Sequence, residues 1–110
     1  MGKHREIVWS PSALADLDDI TDYLAARDSV DAAIAVFLKI RSRVDSLTTL
    51  ADRGRVVPEL KEHGLTTHRE LIAAPYRIVF RIHERQVWIL GVLDGRRDLE
   101  EVLLKRSLES

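Results

Sequence analysis

At 110 residues the chain has room for one domain, 1–110, built from a single sheet and one helical layer. Its 45% hydrophobic and 32% charged residues are those of an ordinary globular protein, with nothing near the ~18 consecutive apolar residues of a membrane span. A formal charge of −1 excludes a strongly basic nucleic-acid binder, and the absence of cysteine excludes a disulfide framework and thiolate chemistry. A chain without cysteine suits the reducing cytoplasm, the expected location. The opening MGKHREIVW is basic but has no apolar run behind it, so no secretory signal is expected. Glu6 stands where a myristoylation signal needs Ser or Thr.

Arg5 to Trp9 reads as a first short strand. Ser10-Pro11 then opens a helix, with Ser10 as N-cap and Pro11 at the first helical position. Ala13, Leu17, Ile20 and Leu24 recur at helical spacing and form its buried face; Asp16, Asp18, Asp19 and Asp22 fill much of the solvated side. Arg27-Asp28 is a tight connection, and Ser29 caps a second helix whose stripe runs Ala33, Val36, Phe37, Ile40, Val44, Leu47. Two amphipathic helices with so short a link form an antiparallel hairpin.

Gly54 ends the helical region, and Val56 to Leu60 is read as an extended or turn segment leading to the sheet. The sheet itself is carried by residues 68–94. In Tyr76-Arg77-Ile78-Val79-Phe80-Arg81-Ile82 the apolar Tyr76, Ile78, Phe80 and Ile82 share one face, so Arg77 and Arg81 point from the other. Val87 to Leu93 is almost wholly apolar, the pattern of an interior strand, and it stops at the basic turn Asp94-Gly95-Arg96-Arg97. A last helix from Leu99 to about Arg106 carries a Glu101–Lys105 pair at i, i+4. The order is β-α-α-β-β-β plus a C-terminal helix. It implies an α+β fold in which a small antiparallel sheet packs one face on the N-terminal helical hairpin. The other face, carrying the arginines, is expected to be exposed and functional.

Charge is unevenly spread: residues 1–50 carry a net −2, residues 51–97 a net +3 and residues 98–110 a net −2. A basic sheet between acidic helices suits an acidic partner or a polyanion, and Arg69, Arg77, Arg81, Arg96 and Arg97 are the candidate contacts. The plain alternative for each is a solvated strand end or a local pair, such as Arg97 with Asp94 or Asp98. His4, His63, His68 and His83 lack metal-ligand spacing, and the acids of the first helix are better explained as a solvated face; no metal and no cofactor is expected. Gly54, Gly64, Gly91 and Gly95 stand alone, so there is no phosphate loop. Trp9, Trp88, Tyr23 and Tyr76 read as core residues.

This order of elements, with SPSALADLDDITDYLA, RGRVVPEL, HREL, PYRIVFRI and VWILGVLDGRRDL, resembles the ParE/RelE superfamily, the toxin halves of type II toxin–antitoxin pairs. The resemblance spans about Ile7 to Leu104. It implies a cognate antitoxin, a hetero-oligomer and one of two activities. RelE-like toxins cleave mRNA in the ribosomal A site without metal, using basic side chains and often a C-terminal tyrosine. ParE-like toxins poison DNA gyrase and have no known nuclease activity.

Matched residue by residue, Arg77 falls where the nuclease branch keeps a catalytic arginine, and Arg96 or Arg97 on the arginine after the last strand. The preceding basic pair falls on His68 and Glu70, and a glutamate opposes rather than stabilises developing negative charge on a phosphate. The C-terminal tyrosine position falls near Val102 or Leu103, and the histidine that many relatives place before the Gly-Arg-Arg turn is Asp94. The resemblance therefore favours the ParE-like branch: a gyrase-directed toxin acting by binding. Its antitoxin is expected to be ParD-like, with a ribbon-helix-helix end that alone contacts operator DNA. Two alternatives stand beside it. One is a ribosome-dependent endoribonuclease using Arg77, Arg96 and His68; the other is an inactive relic serving only as antitoxin partner or co-repressor.

Overall fold

A computed structural model describes residues 4–109; the first three residues, read above for targeting signals, lie outside that range. Strand β1 (Glu6–Trp9) leads to helix α1 (Pro11–Arg27), where the Ser10 hydroxyl accepts a hydrogen bond from the Ala13 amide at 3.1 Å. Helix α2 (Val30–Asp45) starts the same way, with the Ser29 hydroxyl accepting from Ala32 N at 3.0 Å. Each cap satisfies an amide that the first helical turn leaves without a partner. The predicted second stripe crosses a break: Leu47 belongs to a separate one-turn helix, α3 (Leu47–Leu50). A 3-10 turn over Ala51–Arg53 follows.

The rest of the chain is β2 (Arg55–Val56), α4 (Pro58–Lys61), β3 (His68–Ala73), β4 (Tyr76–His83), β5 (Gln86–Asp94) and α5 (Glu100–Ser107). The five strands lie in the order β1-β5-β4-β3-β2. The α+β hairpin-on-sheet architecture is as expected, with three corrections of detail. The sheet is not wholly antiparallel, because β1 runs parallel to β5, with Ile7 opposite Val87 and Trp9 opposite Ile89. All the elements from α1 to β4 lie between these two strands, a connection long enough to permit that direction, which side-chain alternation does not encode. The Val56–Leu60 segment is a two-residue edge strand followed by a helical turn begun by Pro58. The third correction concerns the arginine face.

Tyr76, Ile78 and Phe80 are buried with Ala13, Leu17, Ile40 and Val44 between the sheet and the α1–α2 hairpin, as their alternation requires. The opposite face is not bare. Val79 and Leu93 look out from it into a second core, closed by Val57 and Leu60 around α4 and by Leu99 and Leu103 around α5. Each such side chain contributes roughly 1.5–3 kcal/mol on burial, ample to fix two short helices over the sheet. A β-bulge helps to shape this face: Val79 pairs with Gly91 but Phe80 with Ile89, leaving Leu90 as the extra residue. Trp9 packs at the edge of the main core, and Trp88 is half-buried on β5. Tyr23, read as core, is 62% exposed on α1, with the Arg27 guanidinium 5.7 Å from its ring centre. No helix among the described residues is long and apolar enough to cross a membrane.

Gly54 shows how tightly the two layers meet. A Cβ built there would stand 2.4 Å from the Phe80 ring, at a position where backbone φ is an ordinary −66°. Gly54→Ala is therefore expected to destabilise the fold by about 1–3 kcal/mol through overpacking alone, read as a lower urea midpoint at unchanged m-value.

Candidate functional site

Register places the sequence-predicted residues on two different faces. His68 pairs with Arg81 and Ile72 with Arg77 across β3 and β4, so His68, Arg77 and Arg81 share the face covered by α4 and α5. Arg69 pairs with Phe80 on the hairpin face, and its Nη1 donates to the Gly54 carbonyl at 2.7 Å. Arg96 and Arg97 are exposed in the turn after β5. That turn lies close to Arg77: a Cβ on Gly95 would be 3.1 Å from Arg77 Cγ.

Arg77 is the centre of an ion-pair network. Its Nη1 and Nη2 donate to Glu59 Oε2 and Oε1, both at 2.6 Å, and its Nε donates to Glu70 Oε1 at 2.7 Å. Arg55, next to Glu70 across β2 and β3, makes a short contact with the remaining Glu70 oxygen. Solvent exposure is graded through this chain of charges: the side chains of Glu70, Arg77, Glu59 and Arg55 are 0, 12, 29 and 60% accessible. A carboxylate as buried as Glu70 is tolerated because two guanidinium groups meet it. The bidentate Glu59 carboxylate, helped by Glu70, raises the Arg77 pKa above even the usual arginine range. Arg77 in turn holds Glu59 below the ordinary carboxylate range. The arginine that the resemblance matches to a catalytic position of the nuclease branch is thus engaged on three sides by the protein's own carboxylates.

His68 is 4% exposed. Its Nδ1 meets the Thr67 hydroxyl at 3.1 Å, while Nε2 has no partner among the described residues. Burial, and then the charge of Arg81, push its pKa below the ordinary imidazole value. The sign of the pH effect follows directly. The unfolded chain takes up this proton near pH ~6.5 while the folded chain resists it, so stability is full above that pH and falls as acid is added. The urea midpoint is expected to drop between neutral pH and pH ~5.5, with a smaller drop in His68→Gln. An equal drop in both proteins would mean that other groups drive the acid sensitivity.

The last strand ends in a second local arrangement. Arg96 donates through Nε and Nη2 to the two Asp94 oxygens at 3.0 and 2.8 Å, and holds the Asp94 carboxyl down to about 2. Burial and the Asp94 charge together push the Tyr76 hydroxyl up, so it is a poor proton donor at neutral pH.

Sequence reasoning passed over a third feature. Asp16, read as one of several solvated acids, lies in a bidentate pair with Arg106 of α5 at 2.7 and 2.8 Å, with both side chains about 15% exposed. The pair also closes the edge of β5 beyond the end of β1. Val92 N donates to Asp16 Oδ2 at 2.9 Å, and Arg106 donates to the Leu90 carbonyl at 2.8 Å. Between α1, the end of β5 and α5 lies a groove of about 630 Å³, lined by Ile20, Leu24, Val92, Leu99 and Val102, with Tyr23, Arg96 and Arg97 also bordering it. Only Glu70 had a sequence signal, since strand alternation puts it on the Arg77 face; Glu59, Asp16 and Arg106 come from distant segments.

These features define a small α+β protein whose sheet is braced on both faces and offers a basic turn. A family model described as "ParE toxin of type II toxin-antitoxin system, parDE" matches residues 7–99. The curated Toxin RelE2 of Caulobacter vibrioides is 31% identical over 93 residues, covering 84% of this chain and 97% of that protein. A solved structure, described as a chromosomal ParDE TA system from P. aeruginosa, has a TM-score of 0.66 and 24% identity over 81% of this chain and 94% of its own. The chain belongs to the ParE toxin family, within the ParE/RelE superfamily, and is the toxin of a type II toxin–antitoxin system. An antitoxin partner follows from that membership.

Proposed function

We propose that this toxin acts by binding DNA gyrase, in the manner the ParE branch implies, and that a ParD-like antitoxin with a ribbon-helix-helix end neutralises it. The supporting observation is the state of Arg77. A guanidinium whose Nε, Nη1 and Nη2 are committed to Glu59 and Glu70 is poorly placed to stabilise a scissile phosphate. The rest of the nuclease set is no better arranged: His68 is buried with a lowered pKa, and Val102 stands near the tyrosine position. Arg96 and Arg97 are the exposed cations of the candidate set, and the acidic antitoxin or the target would contact them first. Operator DNA would be met only through the antitoxin, in a cytoplasmic hetero-oligomer.

The test is purified toxin with gyrase, ATP and relaxed plasmid. Lost supercoiling with accumulated double-strand breaks is expected. Undisturbed supercoiling at micromolar toxin, from protein that arrests growth in cells, overturns the reading. The relative named Toxin RelE2 favours the second reading, a ribosome-dependent endoribonuclease using Arg77, Arg96 and His68. Cleavage of A-site mRNA in programmed ribosomes is its signature. A folded protein that neither inhibits gyrase, cleaves mRNA nor arrests growth would leave the antitoxin-partner role alone.

A further inference from the structure

The two carboxylates on Arg77 are held differently. The Glu70 side chain is fully buried, accepts from Arg77 Nε at 2.7 Å and is met by Arg55 as well, so it belongs to the interior. Glu59 comes from α4 and takes the outer end of the guanidinium, with Nη1 and Nη2 each donating to one of its oxygens at 2.6 Å. That parallel fork is how an arginine receives a carboxylate from another molecule. Glu59 stands where such a ligand would stand.

The backbone beneath Glu59 is fixed, but its carboxylate is not enclosed. Val57 and Leu60, on either side of it, are fully buried in the second core, whereas the Glu59 side chain is partly open to solvent. Rotation of that one side chain therefore bares the Arg77 fork without unfolding α4. The site left behind keeps its shape, because Glu70 still holds Arg77 Nε, and Nη2 is also 2.6 Å from the same Glu70 oxygen. It keeps its charge too. Arg77 and, more weakly, Arg55 hold the Glu59 carboxyl below the ordinary carboxylate range, and both act on an anion that takes its place. Glu70 limits which anion that is. A carboxylate restores the balance that Glu59 leaves, whereas a phosphate dianion adds a further negative charge beside a buried one.

A tethered carboxylate outcompetes a free one at ordinary concentrations, so a lone anion does not displace Glu59. A run of acidic residues anchored by other contacts has the same advantage that Glu59 has. We propose that Glu59 is an internal ligand masking a carboxylate site on Arg77, and that an acidic protein segment bound nearby exchanges with it. This is independent of which target the toxin inhibits.

Glu59→Ala, at a partly exposed position, is expected to gain stability from sodium acetate at neutral pH and constant ionic strength. Its urea midpoint should rise saturably between about 1 and 100 millimolar acetate, while that of the unsubstituted chain stays level. Sodium phosphate should do less. Arg77→Lys in the Glu59→Ala background should abolish the acetate effect, since lysine has no fork. A hexaglutamate peptide should bind Glu59→Ala roughly tenfold more tightly than the unsubstituted chain, as read by calorimetry. An acetate effect no larger than that of chloride overturns the proposal, and so does one that survives Arg77→Lys. Equal peptide binding by the two chains overturns the masking. Stronger stabilisation by phosphate overturns the choice of a carboxylate and points to nucleic acid instead. Were Glu59→Ala unfolded, acetate should restore its helical circular dichroism, and failure to do so counts equally against the site.

Discussion

Arg77→Ala is expected to lower the free energy of unfolding by about 3–5 kcal/mol, because it strands the Glu70 carboxylate in the interior with Arg55 as its remaining cation. Against a typical total of ~5–15 kcal/mol for a domain of this size, that is a large share. Urea unfolding followed by circular dichroism measures it directly. Glu59→Gln should cost only about 1 kcal/mol, since Glu59 sits nearer the solvent and Glu70 still holds Arg77. The contrast bears on function. An Arg77→Ala protein that has lost toxicity has not thereby revealed a catalytic arginine, since at the low end of that range the lost stability alone unfolds much of it. A loss of stability below about 1 kcal/mol would show instead that the network is dispensable, and would return Arg77 to the list of contact residues.

The second large effect is expected at Arg106. Arg106→Ala removes both bonds to Asp16 and the donor to the Leu90 carbonyl, leaving a carboxylate about 86% buried with the Val92 amide as its remaining described partner. A destabilisation of about 2–4 kcal/mol is expected, concentrated in one part of the molecule. Helix α5 rests on the second core through Leu99 and Leu103, and its charged anchor to α1 is the Asp16–Arg106 pair. Hydrogen exchange should therefore quicken across Glu100–Ser107 and at Val92, while the α1–α2 hairpin keeps its protection. Uniform quickening over the whole chain would mean that α5 is not a separate unit but unfolds with the rest.

Much of the fold was legible because it rests on local periodicity. The stripe Ala13, Leu17, Ile20, Leu24 and the caps Ser10 and Ser29 define α1 and α2, and the alternation of Tyr76 to Ile82 assigns both faces of β4. The two-residue β2 and the one-turn α4 were not legible, since neither is long enough to show a period. Tyr23 was misplaced because the α1 stripe sits one residue away from it. Arg77 was found as a candidate, but its chemistry was not. Glu59 is 18 residues from it in sequence, and no local pattern announces that a proline-started turn will bring a carboxylate back over the sheet.

The sequence by itself therefore determined the longer elements, the hairpin and the buried face of the sheet, which follow from spacing along a single segment, while the superfamily came from the resemblance of several motifs taken together along the chain. Tertiary structure decided the direction of β1, the covering of the arginine face by α4 and α5, and the partners of Arg77 and Arg106. The physical reason is that burial pattern is written within one helix or strand. Which carboxylate meets which guanidinium depends on how distant segments are folded together, and only that meeting decides whether an arginine braces the fold or faces a partner.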